Sequence, residues 1–511
     1  MRIKYLLLAQ FCIVALGFGQ FSVDGNVQLS YGEDKRGNYY NETLINTNLT
    51  RGDLSAWMQF EYSNPPEVGI PFQGLRKIRL EYSKGPVQLK LGDLYEIWGR
   101  GLVLNQRDDQ KLDFDNGLTG LSIAGVHKDR LRGQLIVGIR ELTNNIGSDI
   151  SYSIKNNEVG ISYLQSRLGR PIKYNQFWQP DTLNMVHRVL GIRESYSSSW
   201  IDLYGEYVNK TTHQVYDKNT YQDSLYSTGH GFYGNLNAFL GSWSLAFEYK
   251  RYNFRSLNPF ELLNETSYHG HILVDQQPPI AFREPSSTLL NRVAHQMDFN
   301  DDVGFQVDLT GSINNWFTLL VHYARSSRTD EWEGDALSWT KHKSSGMFPS
   351  TDPAANPFFE TYFEIDGYTF SDRLHYQIST AFTRDVFTLL KYVNTDTLKI
   401  KRYEFHEART TPLLLEWSLP GSWSIIGKLE SQKLIKGIQM YNEVDQVVLI
   451  DSTASVFYEG LAPDGIPHDY QENTIYSFGI SKAPAWSIEI RIEKTSVEDG
   501  TDQFAREIIN P

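Results

Sequence analysis

The stretch LGSWSLAFEYK, residues 240–250, decides the fold. Gly241 and Ser242 are typical of a tight turn, and a strict alternation of apolar and polar residues follows them. Side chains of a β-strand point alternately to its two faces, so this segment is predicted to have one apolar and one polar face. The apolar face carries Trp243, Leu245, Phe247 and Tyr249.

The turn, the tryptophan and the alternating strand recur along the chain. Two further copies are LPGSWSIIGKLE (419–430) and KAPAWSIEIRIEK (482–494). In a looser copy, NNWFTLLVHYA (314–324), the tryptophan is out of phase by one residue. Amphipathic aromatic rings collect where the hydrocarbon of a membrane meets its headgroups. The recurrence therefore predicts an aromatic girdle that includes Trp243, Trp423 and Trp486.

The N-terminus has the three parts of a secretory signal. Arg2 and Lys4 precede an apolar run, and small residues follow that run. We therefore expect residues 1–19 to be a signal peptide that is removed. The only cysteine, Cys12, lies inside this segment, so the mature chain is expected to contain no disulfide.

Composition narrows the class of protein further. Aromatic residues make up 13% of the 511-residue chain, more than a soluble core normally requires and typical of a protein with membrane interfaces. After the signal, no apolar stretch is long enough for a spanning helix. The formal net charge of −13 argues against nucleic acid as a partner.

Two architectures fit the alternating segments that fill the mature chain. In a soluble sandwich the apolar face is the core, whereas in an outer-membrane barrel it meets lipid and the polar face meets a watery interior. Tight turns such as 84–86 alternate with long polar stretches such as 255–300, as expected of short periplasmic turns and long outer loops. We therefore predict an all-β fold, a transmembrane antiparallel up-and-down β-barrel over residues 20–511.

The number of strands follows from counting the alternating segments. The count is about 18, an even number as closed bacterial barrels require. The chain ends at Ile508-Ile509-Asn510-Pro511, without the aromatic residue that usually closes the last strand of such a barrel. We therefore expect the barrel in this sequence to be incomplete at its C-terminus.

The segment LGDLYEIWGRGLVLNQRDDQKLDFDNGLTG (91–120) is the candidate functional site. Alternation ends near Tyr95, and Gly99 and Gly101 permit a sharp bend. An inward bend would bring opposed carboxylates and guanidiniums into a lumen, where they select solutes by size and charge. A solvated loop whose glycines only make a turn explains the same residues. The pore-lining or constriction candidates are Asp93, Glu96, Arg100, Arg107, Asp108 and Asp109.

Two parts of the chain resemble a known family. The segment GDLYEIWGRGLVL (92–104) followed by DNGLTG (115–120) is similar to a stretch shared by uncharacterised outer-membrane β-barrel proteins of Bacteroidetes-type bacteria. QQPPIAFREPSSTLLNRVAHQ (276–296), leading into DVGFQVDL (302–309), resembles the same family more loosely. The resemblance implies an outer-membrane barrel, but it supplies neither a substrate nor catalytic residues.

No recognisable set of catalytic or metal-binding residues was found. The chain has no G-x-S-x-G motif. His269 and His271, with His295 beyond, lie in a long polar stretch, where histidines are more often solvated than metal-bound. The acidic group Asp298, Asp301 and Asp302 lacks the spacing of a calcium-binding loop, so we expect it to form a solvated turn. The prediction is therefore of a protein that is not an enzyme and has neither a cofactor nor a bound metal.

These observations predict a channel or passive transporter for small polar solutes in the outer membrane of a Gram-negative bacterium. Its expected partners are the bilayer, small polar solutes and other envelope proteins. One alternative is a non-conducting barrel that assists secretion or surface-glycan assembly. A barrel enzyme, such as a lipid hydrolase, would need a nucleophile set that the sequence does not reveal. A soluble secreted glycan-binding β protein is the alternative outside the membrane class, and it predicts extraction in buffer without detergent.

Overall fold

A computed structural model describes most of the mature chain. The predicted signal at residues 1–19 lies outside the described residues, as do His269 and His271. The described ranges are 22–33, 39–66, 70–109, 114–140, 143–174, 180–216, 225–254, 276, 278–279, 287–293, 295, 300–314, 316–334, 339–344, 346–388, 393–395, 398–441, 468–483, 486–498 and 506–510.

Almost all of the described chain is β-strand. The first fourteen strands are β1 (Ser22–Glu33), β2 (Tyr39–Arg51), β3 (Leu54–Ser63), β4 (Phe72–Lys84), β5 (Val87–Leu94), β6 (Ile97–Trp98), β7 (Leu104–Asn105), β8 (Asp108–Asp109), β9 (Phe114–Asp115), β10 (Leu118–His127), β11 (Leu131–Arg140), β12 (Thr143–Ile154), β13 (Asn157–Tyr174) and β14 (Pro180–Ser197). The others are β15 (Ile201–Tyr216), β16 (Leu225–Leu240), β17 (Trp243–Asn253), β18 (Asp301–Asn314), β19 (Phe317–Ser327), β20 (Asp330–Gly334), β21 (Trp339–Ser344), β22 (Phe358–Thr369), β23 (Leu374–Thr388), β24 (Val393–Thr395), β25 (Leu398–Leu419), β26 (Trp423–Tyr441), β27 (His468–Lys482), β28 (Trp486–Glu498) and β29 (Arg506–Asn510).

Helical structure is confined to two short pieces of the described chain. Helix α1 covers Thr288–Asn291, and a 3-10 turn covers Pro353–Ala355. No helix in the described part of the chain is long and apolar enough to cross a membrane.

The chain divides into two compact units. Unit 1 comprises residues 1–196, 205–232 and 260–279, and unit 2 comprises residues 197–204, 233–259 and 280–511. In unit 1, antiparallel pairing runs β1–β2–β3–β4–β5–β10–β11–β12–β13–β14. In unit 2 it runs β17–β18–β19–β22–β23–β25–β26–β27–β28–β29. Each strand pairs with the next long strand of the chain, which is the predicted up-and-down order.

The predicted number of strands is wrong. The described residues place 23 strands in one sheet and six more in three two-stranded ladders. The count of about 18 missed strands whose outward residues are only weakly apolar. Strand β2 presents Thr43, Ile45, Thr47 and Leu49 on that side. Strand β12 likewise has asparagine and serine at some of its outward positions. Closure of the sheet is not observed in the described part of the chain.

The two faces of the sheet differ in an unusual way, because the apolar residues lie on the exposed face. In strand β11 of unit 1, Leu135 and Val137 are 57% and 54% exposed, whereas Ile136 between them is 1% exposed. In strand β28 of unit 2, Ile488 and Ile490 are 59% and 64% exposed. A soluble sandwich buries such rows, so its packing does not describe this sheet.

The exposed apolar residues continue from strand to strand. In unit 1, Val137 lies opposite Leu121 on one side and Ile146 on the other. In unit 2, Phe478 lies opposite Ile490. We call this side of the sheet the apolar face and the opposite, more buried side the polar face. The apolar face is therefore a continuous band within each unit and not a scatter of single residues.

Candidate functional site

Charged and hydrogen-bonding side chains occupy the polar face of both units. In unit 1 they include Lys77, Asp149 and Glu206, and in unit 2 Lys250, Asp302 and Glu430. Buried charges require partners, and those described here have them. Arg193, for example, donates to both carboxylate oxygens of Asp149 at 2.6 and 2.9 Å.

Residues 95–117 form the first segment that leaves the sheet, in unit 1. Strand β5 ends at Leu94, and Gly99 turns the chain with a φ of +58°, a conformation that favours glycine. A side chain at this position would also collide with Glu206, since a Cβ would lie 2.5 Å from its Oε2. The Arg100 amide donates to the same carboxylate oxygen at 2.9 Å. Glu206 of β15 therefore holds the bend.

The segment packs over the polar face of the strands that follow it. Trp98 is 2% exposed, and its indole N–H donates to Gln134 of β11 at 2.7 Å. Its ring fills the space left by Gly147 of β12, where a Cβ would lie 2.7 Å from the ring edge. Val103 packs in the same way against Gly191 of β14. Two glycine-lined contacts thus fix the apolar part of the segment.

An ionic cluster holds the other end of the segment. The ammonium of Lys77, which is 1% exposed, pairs with Asp108 and lies 3.1 Å from Asp115. Tyr95 donates to Asp115 at 3.1 Å. Burial, then the negative charges of Asp115 and Asp108, raise the pKa of Tyr95, so its phenol stays protonated. Burial works to raise the pKa of Asp115, but the Lys77 ammonium and the Gly117 N–H hold it below its usual value.

The structure places three of the four predicted constriction carboxylates in bonded positions. Asp93 accepts from the Ile78 amide at 2.7 Å and from Thr119 at 3.0 Å. Glu96 pairs with Lys90 at 2.9 Å. Asp108 pairs with Lys77 as described, and Asp109 lies in β8 with its side chain outside the described residues.

The two predicted arginines are exposed. Arg100 follows the Gly99 bend, and Arg107 lies with its guanidinium 5.4 Å from the centre of the Phe114 ring. The Arg107 amide donates to Asn116 at 2.5 Å, which anchors its backbone. The six candidates therefore share one segment and its ends, and the described carboxylates among them bond to lysines, to a threonine and to a backbone amide. Lys77 and Glu206 hold the segment in place, but neither belongs to a recognisable sequence motif.

A second segment, residues 287–295, lies on the polar face of unit 2. The Glu430 carboxylate accepts from the Ser287 hydroxyl at 2.7 Å and from the Leu289 amide at 2.8 Å, at the start of helix α1. Gln432, also on β26, donates to the Leu289 carbonyl at 2.8 Å. Arg292 forms a two-pronged ion pair with Glu493 of β28. The segment is therefore pinned by polar bonds to at least two strands.

His295 extends this attachment to two more strands. One ring nitrogen, Nδ1, lies 2.9 Å from the Asp385 carboxylate, and the other, Nε2, lies 3.0 Å from the Ser326 hydroxyl. The ring stacks on Phe358 with centroids 4.4 Å apart. Serine, histidine and aspartate in this order can form a nucleophile, its base and an orienting acid. Ser326 is only 1% exposed, however, so a substrate does not reach its hydroxyl in this structure.

Asp301 and Asp302, which were predicted to lie in a solvated turn, are buried instead, and Asp298 lies outside the described residues. Asp301 accepts from the Thr329 amide at 2.8 Å, and Asp302 pairs with Lys250, whose side chain is fully buried. No group of three or more residues that could hold a metal ion occurs among the described residues.

The tryptophans predicted to form a girdle begin three strands of unit 2. Trp243 and Trp423 are partly buried beside short turns, and the Lys482 ammonium lies 5.0 Å from the centre of the Trp423 ring. Trp486 begins β28, but its side chain lies outside the described residues. Their depth in a membrane stays a prediction.

Nearer the opposite strand ends, five rings touch in sequence across neighbouring strands of the apolar face. Their centroids are 5.5 to 6.4 Å apart. We call this set the aromatic row: Phe247, Phe305, Tyr323, Phe359 and Phe382. The sequence showed each ring but not their contact, because they come from five different strands.

The fold and the arrangement of its faces define an all-β protein with an up-and-down antiparallel sheet, an exposed apolar face and a buried polar face. The chain belongs to a family of unknown function (DUF6029), whose model matches residues 20–400. No curated protein matches it.

Solved structures of outer-membrane β-barrel proteins are among those similar to the chain. OccK5 (OpdH) of Pseudomonas aeruginosa is 11% identical, with 72% of this chain and 93% of that chain covered and a TM-score of 0.37. Wzi of Escherichia coli, a carbohydrate-binding β-barrel involved in group 1 capsule assembly, is 13% identical, with 74% and 83% covered and a TM-score of 0.34. An anion-selective porin from Comamonas acidovorans is 9% identical, with 72% and 90% covered and a TM-score of 0.27.

Proposed function

We propose that this protein is an integral outer-membrane β-barrel of a Gram-negative bacterium and that it passes small polar solutes along its polar face. The observation that carries the proposal is the exposed apolar face. Each Å² of apolar surface left in water costs about 25 cal/mol, and the rows of both units run over many strands. In a bilayer the same rows meet hydrocarbon, and the polar face meets water.

The exposed guanidiniums define where a solute would meet the protein. The Asp93, Glu96 and Asp108 carboxylates are bonded to neighbours, and the Arg100 and Arg107 side chains are exposed beside the first segment. We therefore assign the selecting role to the two arginines and a supporting role to the carboxylates. Fixed charges near a narrow path select solutes by sign and size.

Electrophysiology after a folding control tests the proposal. The purified protein should run at different gel positions before and after boiling, and it should conduct ions in planar bilayers. The double variant Arg100→Ala/Arg107→Ala should shift the reversal potential toward cation preference, because two positive charges are removed. The matched control Glu194→Gln, at an exposed position of β14, should leave selectivity unchanged. A folded, membrane-inserted protein without conductance would exclude the channel.

One observation favours the alternative of a non-conducting accessory barrel. The apolar part of the first segment is fully buried on the polar face, with Leu102, Val103 and Leu104 each 0% exposed. A segment packed this tightly also fits a closed interior. In that case the protein would show no conductance and would copurify in a stable complex with another envelope protein.

A further inference from the structure

The apolar face of unit 2 carries a row of basic residues beside the aromatic row. We call this set the basic row: Arg251, Arg325, Arg384, Arg409 and Lys433. Arg325 and Arg384 lie opposite Phe359 on its two sides, and Arg409 lies opposite Phe382. The basic row therefore spans neighbouring strands and faces the same way as the apolar band.

In the basic row, Arg251, Arg325 and Arg384 lie near the strand ends that carry the long connections. Arg409 and Lys433 lie in the middle of the longer strands β25 and β26. Each strand of the row has a short turn at the other end, such as 241–242 before β17 and 420–422 before β26. Arg251 follows Trp243 by eight residues, or about 26 Å of extended chain at 3.3 Å per residue. In a strand tilted by about 40°, this length spans a height of about 20 Å, most of the apolar band of a membrane barrel, which is about 25 Å tall. Long connections lie outside the cell in such barrels, so the row falls at the level of the outer-leaflet headgroups.

The charge of the row is only partly neutralised by its neighbours. Glu407 lies 3.4 Å from Arg384, and Glu472 lies 3.1 Å from Lys433. Within the described residues, neither Arg325 nor Arg409 forms an ion pair with a carboxylate. The row thus keeps a net positive charge on a chain whose formal charge is −13.

A groove on the apolar face opens beside Arg409. Its volume is about 330 Å³, and Arg409 lies at its rim with Tyr323 and Phe382. The groove exists because Thr361 and Thr380 are small residues among large outward neighbours. A groove lined by aromatic and aliphatic side chains fits a hydrocarbon chain, and guanidiniums fit phosphate with paired hydrogen bonds.

We propose that the groove and the basic row together bind a phosphorylated lipid of the outer leaflet, with an acyl chain over the two threonines and phosphate on Arg325 and Arg409. The inference rests on the proposed membrane insertion but not on solute transport. Under this proposal, the apolar face binds one specific lipid in addition to contacting the bulk lipid of the bilayer.

Lipid binding by the folded protein in detergent tests the proposal. The probes are diphosphorylated lipid A and the same lipid after removal of its phosphates, each added to micelles and measured as lipid retained per protein by mass spectrometry. Wild-type protein should retain the phosphorylated lipid at least about tenfold better, because charge-assisted bonds to phosphate are lost with the other probe. Arg325→Gln/Arg409→Gln should remove this preference. Thr361→Trp, which fills the groove, should weaken retention while keeping every charge.

The controls distinguish a failure of the lipid-binding proposal from a failure of the proposed membrane insertion. Arg373→Gln/Lys482→Gln removes two charges at the short-turn ends and should leave retention unchanged. Inorganic phosphate in excess should not displace the lipid, and full displacement would show a site for free phosphate and overturn the lipid assignment. If a protein with boiling-dependent gel mobility retained both lipids equally, the lipid-binding proposal would be overturned. The proposed membrane insertion would not be affected by that result. A wild-type protein that stays soluble without detergent would contradict the proposed function itself.

Discussion

The amide of Arg100 and the carboxylate of Glu206 are bonded at 2.9 Å, although 106 residues separate them in the chain. This contact fixes the bend of the first segment on strand β15. It also places Arg100 where it is exposed, since the bond uses its backbone and leaves the guanidinium outside.

Removing the Glu206 carboxylate should loosen the bend. Hydrogen bonds to charged groups contribute about 1.5–3 kcal/mol, so Glu206→Ala should raise the population of the open segment at least about tenfold. Trypsin cleavage after Arg100 and Arg107 measures this opening. Glu194→Ala, at an exposed position, should leave the cleavage rate unchanged. An unchanged rate in Glu206→Ala would show that the apolar contacts alone hold the segment.

Replacing Lys77 by methionine should destabilise unit 1 strongly. Asp108 and Asp115 would lose their common cation while partly buried, and breaking a buried ion pair on one side costs about 3–5 kcal/mol. The denaturant midpoint of the micelle-bound protein measures the loss. The triple variant Lys77→Met/Asp108→Asn/Asp115→Asn should recover part of it. A single variant as stable as the wild type would mean that the pair contributes nothing.

Low pH should abolish the contribution of Asp115 to the free energy of unfolding. Its pKa is lowered in the folded protein, so its stabilisation is complete above the usual carboxyl value of 3.8 and is lost as pH falls through the lower folded value. Wild type and Asp115→Asn should therefore differ in stability at neutral pH and converge in strong acid. A constant difference across this range would contradict the assignment.

An arginine at an exposed position of the apolar face should be costly. Val137 is 54% exposed, and in a soluble protein Val137→Arg would be almost neutral. Facing hydrocarbon at mid-depth, it should cost about 2–4 kcal/mol. Glu194→Arg near the end of β14 provides the control, with an expected effect close to zero. Folding in lipid vesicles at increasing urea gives both values.

The contact between Ser326, His295 and Asp385 should not make a reactive serine. Because Ser326 is 1% exposed, a fluorophosphonate probe should leave the folded protein unlabelled. Labelling that disappears in both Ser326→Ala and His295→Ala would instead reveal a hydrolase. Labelling that persists in Ser326→Ala would come from another residue.

The sequence predicted the alternation of faces because period-two patterning is a local property. Trp243, Leu245 and Phe247 share a face in the structure as their spacing required. The number of strands was harder to predict, since strands such as β2 place threonine and asparagine where the pattern needs apolar residues. Tertiary pairing on both sides makes these residues strands in spite of their composition.

The bend at Gly99 was predicted correctly, but the bonds that hold the segment were not, and the role of the segment as a functional site stays a prediction. Gly99 marked the bend, whereas Glu206 and Lys77 are ordinary charged residues of distant alternating strands. The same holds for the partners of His295, which lie 31 and 90 residues away. Contacts of this kind depend on the pairing of the whole sheet, and no local pattern encodes them.

The attachment of the second segment to β26 and β28 constrains the order in which the protein folds. Ser287 bonds to Glu430 across 143 residues, and Arg292 bonds to Glu493 across 201. Closing such long loops carries an entropic cost, and contacts between distant residues slow folding. During synthesis the segment emerges long before β26 and β28 exist to receive it. Its docking therefore requires that β26 and β28 have already been added.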